Sequence, residues 1–257
     1  MSARVTRVRL RLPSGAVGFS QYARLLEEAA TLASAEAGYS TAWYARENTA
    51  WVIRRSCIDC AAALAPATEV EVVTWVADFR RVRSRREYEV YASSGTAAAL
   101  TAHTDWVYVN RASGHPRRVP DPMMRAFLPD GDVPALPRSP LALPAAHPDV
   151  AIVEQLARRE DLDALGHVNN ARYFDYVEAA ARTVVGAGSR PVRHDLEYLG
   201  EAKEGDRLSC RCWAIGPCGS GLEVAGEIRL AAVGELLTRA RSVWSEKGSP
   251  SIEPRVH

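Results

Sequence analysis

The sequence lacks any run of about 18 uninterrupted apolar residues, so no segment reads as a membrane span. It also lacks an excess of charge of either sign. The 32 Lys and Arg against 31 Asp and Glu leave a formal net charge of +1, which gives no global reason to expect nucleic acid or an anionic membrane as partner. The opening stretch MSARVTRVRLRLP alternates polar and apolar residues like a strand and has no signal-peptide core. Cysteine is scarce and odd in number, at five, and the pair Cys57 and Cys60 has no matching second pair or His pair at ligand spacing. Neither a metal site nor any other cofactor is expected. Cys57, Cys60, Cys210, Cys212 and Cys218 read as reduced, mostly buried thiols of a cytoplasmic protein.

What is present is organised around Asp161 to Ala180, DLDALGHVNNARYFDYVEAA. Two carboxylates, Asp161 and Asp163, open a polar turn, followed by Gly166, His167 and the paired amides Asn169 and Asn170. Tyr173, Tyr176, Val177, Ala180, Ala181, Val184 and Val185 then recur at helical spacing and predict one apolar stripe. Asn169 or Asn170 is placed to cap that helix. A carboxylate, an imidazole and two amides thus surround a helix N-terminus, whose unpaired N–H groups suit a developing oxyanion.

The first third of the chain repeats the last. Tyr22 falls on Tyr173 and Glu27 on Glu178 at a shift of 151, and Trp75 on Trp213 and Trp106 on Trp244 at a shift of 138. The difference is assigned to a longer connection in the first copy, around Tyr39 to Asn48. This is an internal duplication. Each copy reads strand, helix, then four strands. The first has a strand near 3–12, a helix at 20–36 and strands near 50–60, 69–80, 85–94 and 99–110; the second has strands near 150–160, 191–199, 206–215, 222–230 and 235–246. The expected units are 1–112 and 149–248, joined by a connector over 113–148 rich in proline. Within it PDPMMRAFL predicts a short helix with Pro120 or Pro122 near its start. One helix against mostly antiparallel strands is an α+β arrangement.

The central stretch resembles the DxDxxGHVNNxxY signature of hotdog-fold thioesterases, and most of all the acyl-ACP thioesterase family, whose members carry two hotdog repeats in one chain. WVYVNRASGHPRRVPDPMMRAF is similar to the end of that family's first repeat, so the resemblance runs from about residue 4 to 246. It implies a pseudo-dimeric double hotdog, each long helix wrapped by sheet, that hydrolyses acyl thioesters of acyl carrier protein or coenzyme A. A homodimer of such double hotdogs is an expected assembly. LEYLGEAKEGDRL resembles the segment in which the family places a Glu–Cys pair; here the pair is Glu201 and Ala202, which excludes a cysteine nucleophile at that position. A second departure is Leu165, where the family has Asn.

The expected site is therefore carboxylate-centred. Asp163 is nucleophile or general base, and His167 passes a proton to the leaving thiolate. Glu201 shares the water or orients His167, Asn169 belongs to the catalytic set, and the backbone around Gly166 to Asn170 polarises the carbonyl. Tyr173 is placed against substrate. In the first copy the shift of 151 puts Leu12 opposite Asp163 and Ala16 opposite His167, so that half is expected to shape an apolar acyl pocket, with Trp43 among its aromatics. The basic run with Arg81, Arg83 and Arg85 is a candidate surface for phosphopantetheine or an acidic carrier. A double-hotdog hydratase or dehydratase would need Asn where Asp163 stands. A non-catalytic acyl-binding protein would be expected to lose Asp163, His167 and Glu201 together.

Overall fold

In the computed structural model, residues 3–93, 95–131, 136–146, 150–163 and 165–245 are described. Parts of the expected connector, with Pro134 and Pro148, and the end of the last strand at Glu246 lie outside them. The chain divides into two compact units. The first comprises Met1–Val17, Gln21–Ser56 and Ala63–Ser139; the second comprises Gly18–Ser20, Cys57–Ala62 and Pro140–His257.

The elements of the N-terminal part are β1 (Val5–Arg11), α1 (Phe19–Glu36), α2 (Thr41–Arg46), β2 (Thr49–Cys60), β3 (Glu69–Arg80), β4 (Arg83–Ala92), β5 (Leu100–Asn110) and α3 (Asp121–Phe127). Those of the C-terminal part are β6 (Ala151–Leu156), a single 3₁₀ turn (Arg159–Asp161), α4 (Arg172–Ala181), β7 (Arg190–Tyr198), β8 (Arg207–Cys218), β9 (Gly221–Leu230) and β10 (Leu236–Ser245). Strand order is β1-β3-β4-β5-β2 in one and β6-β8-β9-β10-β7 in the other, the same order written twice. Every pairing with a described register is antiparallel. The alternation that marked the strands in sequence is one of burial: Ser84, Arg86, Tyr88 and Val90 of β4 face inward, and their neighbours do not.

The duplication holds at the level of single residues. β3 and β8, and likewise β4 and β9, correspond end to end at a shift of 138. Thr6 lies opposite Thr74, and Ala151 opposite Cys212, which is 138 residues beyond Thr74; the first strands therefore correspond at 145, whereas the helices correspond at 151. The loop between first strand and helix is thus six residues longer in the second copy, and the polar motif occupies it. At the far end of that copy, a Cβ on Gly221 would come within 2.1 Å of the Trp244 carbonyl oxygen, so β9 can meet β10 there only as glycine.

Three expectations change. The connection around Tyr39 to Asn48 contains α2, whose Ser40 cap accepts from the Trp43 amide. The apolar stripe of α4 is buried from Tyr173 to Ala181, but the helix ends there, and Val184 and Val185 lie beyond it. The connector also does more than cross the surface. Val119, Met123 and Phe127 sit in a core cluster of the first unit with Val76 and Tyr108. Arg138 clamps Asp78 with both terminal nitrogens and bonds Asp105 through Nε at 3.0 Å. Farther on, Leu141 donates its amide to Glu197 in the second unit. Among the described residues no helix is long and apolar enough to cross a membrane.

Candidate active site

The polar loop folds as a miniature hairpin. Leu162 bridges Val168, the Asp163 amide donates to the His167 carbonyl at 2.8 Å, and the Gly166 amide returns to the Asp163 carbonyl at 3.1 Å. Gly166 takes φ +81°, the left-handed conformation that the turn requires and that a side chain would strain. Ala164, within the turn, lies outside the described residues. Asp163 and His167 are consequently cross-strand neighbours, a relation that sets Cβ atoms about 5 Å apart on one face. Outward from this hairpin, His167 bridges Lys203 and the Val168 amide donates to the Ala202 carbonyl, which brings Glu201 alongside. The His167 Nδ1 and Glu201 Oε2 atoms are 3.2 Å apart.

The two carboxylates of the motif have different surroundings. Asp161 is 2% exposed and accepts from Arg172 Nε at 2.7 Å, the Tyr176 hydroxyl at 2.8 Å and the Arg158 amide at 3.0 Å. Burial alone would raise its pKa; those bonds and the Arg172 charge overcome burial and hold it below the ordinary value. Asp161 ties the 3₁₀ turn to α4. Asp163 is half-buried, and among the described residues its side chain bonds local amides alone, those of Leu165 at 2.8 Å and His167 at 3.3 Å, both through Oδ1. Its Oδ2 has no hydrogen-bond partner among the described residues.

The oxyanion expectation narrows. From Gly166 to Asn169 every backbone N–H already donates, to Asp163 (twice), Ala202 and Asp161. Asn170 alone has an N–H with no acceptor among the described residues. The cap also differs in detail: α4 begins at Arg172, and the Asn169 side-chain oxygen accepts from the Ala171 amide at 2.8 Å, leaving its Nδ2 hydrogens for another partner. Tyr173, expected against substrate, is 1% exposed and its phenol accepts the Ala202 amide at 3.1 Å. Burial, with the carboxylates of Glu201, Asp206 and Asp163 nearby, pushes that phenol up to about 12. It anchors the Glu201 segment instead of presenting a surface.

The basic run is divided by strand alternation. Arg81 and Arg83 are exposed at the β3–β4 turn. Arg85 is not a free cation: its Nε and Nη2 grip both oxygens of Asp105 at 2.8 Å each. Arg86 faces inward. Trp43, in the same unit, makes an edge contact with Tyr39 at 4.9 Å and with Tyr44 at 5.1 Å, in a half-buried ring group over the core cluster.

One polar pair was not anticipated. On α4 the half-buried Glu178 has its Oε1 3.6 Å from Nε2 of the buried His194, and that oxygen and both ring nitrogens have no hydrogen-bond partner among the described residues. Phe19, Phe174 and Trp244 surround the imidazole. Burial pushes the Glu178 carboxyl up to about 7 and the His194 imidazole down to about 3. The match of Glu27 with Glu178 was the available signal for the acid; nothing marked the histidine.

All five cysteines are free, four of them buried. The Acyl-ACP thioesterase N-terminal domain family matches residues 14–127, and the Acyl-ACP thioesterase C-terminal domain family matches residues 148–246. Oleoyl-acyl carrier protein thioesterase 1, chloroplastic, of Arabidopsis thaliana is 24% identical over 88% of this chain and 70% of its own. A Lactobacillus plantarum structure described as an oleoyl thioesterase superposes with a TM-score of 0.84 at 16% identity, covering 96% of this chain and 98% of its own. The 12:0-ACP thioesterase from Umbellularia californica gives 0.75 at 20% identity, with 95% and 94% covered. At such identities the structural likeness speaks for the fold, a double hotdog.

Proposed function

Because the chain belongs to the acyl-ACP thioesterase family, both of whose domains it matches, we propose that it hydrolyses an acyl thioester carried on acyl carrier protein, releasing the free acid and the carrier thiol. Support for the site comes from one observation above all: the loop hairpin sets Asp163 opposite His167, and Glu201 lies 3.2 Å from the imidazole. Asp163 activates the attacking water or attacks the carbonyl itself through its open oxygen. Glu201 accepts from Nδ1 and turns Nε2 toward the leaving sulfur, which takes its proton from there. The Asn170 N–H, at the start of α4, is the backbone donor left for the oxyanion, with the Asn169 Nδ2 hydrogens beside it in sequence. Arg81 and Arg83, not Arg85, meet the carrier's phosphate or carboxylates.

The test is free-thiol release from matched acyl-ACP and acyl-CoA substrates. Release from the carrier-protein thioesters, lowered roughly 10²–10⁴-fold by Asp163→Asn, is the expected result. Absence of release from every acyl-ACP in a panel of chain lengths sinks the reading.

A further inference from the structure

The alternation that divides the basic run turns the Arg86 guanidinium into the first unit, with no counter-ion among the described residues. Arg86 is 7% exposed, on the inward face of β4 between Ser84 and Tyr88. Its Nη1 donates to the Thr74 hydroxyl at 3.3 Å, and its Cζ lies 5.4 Å from the centroid of the Phe127 ring. A guanidinium has five N–H donors, and one hydroxyl occupies one of them. The groups acting on its charge are the phenols of Tyr88 and Tyr44; among the described residues no carboxylate pairs with it. Two residues of the same unit show the contrast: Arg85 and Arg138 share Asp105, and Arg138 also holds Asp78. A buried charge without a partner is among the costliest features a core can carry.

On the Phe127 side Arg86 adjoins a chain of aromatic rings. Phe127 lies 6.1 Å from both Tyr39 and Phe79, and Phe79 lies 6.3 Å from Trp51. Tyr39, Trp51 and Phe79 are only partly buried, over the core cluster that contains Phe127. Partly buried rings thus adjoin the Phe127 ring that lies against Arg86, whose remaining donors have no partner among the described residues.

We propose that the first unit binds, along these rings, an acyl chain whose distal end carries a carboxylate that pairs with Arg86, so that the substrates are half-thioesters of dicarboxylic acids. This rests on the thioesterase reading. A plain alkyl end would leave the guanidinium as it is. A hydroxyl or keto oxygen would satisfy a donor but not the charge. A carboxylate does both, in the bidentate geometry that guanidinium favours.

Two measurements on the full-length protein separate this inference from the function on which it rests. The first compares kcat/KM for carrier thioesters of matched length ending in methyl or in carboxylate. The carboxylate series is expected to be favoured by roughly tenfold or more; equal or reversed values overturn the proposal. The second follows tryptophan fluorescence while a dicarboxylic acid monomethyl ester, or its dimethyl ester, is titrated in. The half-ester is expected to bind more tightly, Arg86→Met to erase the difference, and Arg86→Lys to keep part of it. Equal binding of the two esters by the native protein overturns the proposal, and needs no variant to fold. A binding preference without thiol release from any substrate would sink the thioesterase reading and leave the carboxylate site standing.

Discussion

The phenol of Tyr173 accepts the Ala202 amide at 3.1 Å, and Tyr22 accepts the Leu64 amide at the same distance. The tyrosines correspond at the helix shift of 151 and their partners at the strand shift of 138, so this is one latch built twice. In each copy it fastens the central helix to the chain that follows the next strand. In the second copy the latched residue is the neighbour of Glu201. Tyr22→Phe and Tyr173→Phe should each cost about 1–3 kcal/mol, because a buried amide loses its acceptor. Only Tyr173→Phe should also lower kcat. Thermal melts and thiol release check the pair, and equal activity losses would contradict the assignment of the site to the second copy.

Asp161 and Asp163 should separate cleanly into stability and rate. Asp161→Asn weakens bonds from Arg172, Tyr176 and Arg158 and should cost about 1.5–3 kcal/mol. Asp163→Asn keeps an oxygen for the Leu165 amide and should melt within about 0.5 kcal/mol of the native protein. Its turnover should fall roughly 10²–10⁴-fold. The opposite pattern in melts and rates would exchange their roles.

For Glu201, the 3.2 Å approach to His167 Nδ1 favours orientation over water activation. Glu201→Gln retains an acceptor for that nitrogen and should keep most of kcat, whereas Glu201→Ala should lose up to about a hundredfold. Should Gln prove as poor as Ala, the carboxylate is acting as a base.

Stability should respond to pH through Glu178 and His194 in opposite senses. Glu178, raised from 4.5 to about 7, holds a proton that the unfolded chain has released, so its contribution declines as pH rises through that window. His194, lowered from 6.5 to about 3, excludes a proton that the unfolded chain binds, so its contribution declines as pH falls from 6.5. Between 4.5 and 6.5 the two slopes cancel, because folded pair and unfolded pair each hold one proton. In Glu178→Gln, stability should fall on acidification below 6.5; in His194→Gln it should fall on raising pH from 4.5. Each slope should approach about 1.4 kcal/mol per pH unit. Urea melts across the window check this, and slopes of the same sign in both variants would refute it.

Alkylation should spare activity. Burial pushes the Cys60 thiol up to about 11 and those of Cys210 and Cys212 up to about 12, far from the thiolate that reacts. Cys218 is the one cysteine not buried. Iodoacetamide at neutral pH should add there, by mass, with thiol release unchanged. Rapid inactivation prevented by substrate would point to a thiol in the mechanism.

The strands were legible because each copy buries one face, and a period of two survives in sequence wherever that holds. The proposed site loop stood out because its residue types are concentrated in one stretch. What escaped were relations that no local pattern carries. Helix α2 has six residues, too few for a stripe. The stripe past Ala181 stayed apolar through Val185 while the backbone had already left the helix before Gly186 and Gly188. The arginine run was read as one surface, yet the same period of two sends Arg85 to Asp105 and Arg86 inward. Which backbone N–H groups remain free at the loop depends on pairing with Ala202 and Asp161, and only coordinates reveal that.

The six-residue excess in the second loop divides mutational tolerance between the copies. On the proposed site, substitutions in the shorter loop before α1 should meet no chemistry and be restrained by burial at positions such as Leu12. In the longer loop nearly every backbone amide is committed, and a deletion of even one residue would shift Asp163 off the face it shares with His167. A saturation library scored for activity should therefore be permissive in the first loop and sparse in the second, while one scored for folded yield should find the two tyrosine latches intolerant alike. The frame is held in common, and on the proposed site the capacity to gain or lose a reaction would be confined to one short stretch of chain.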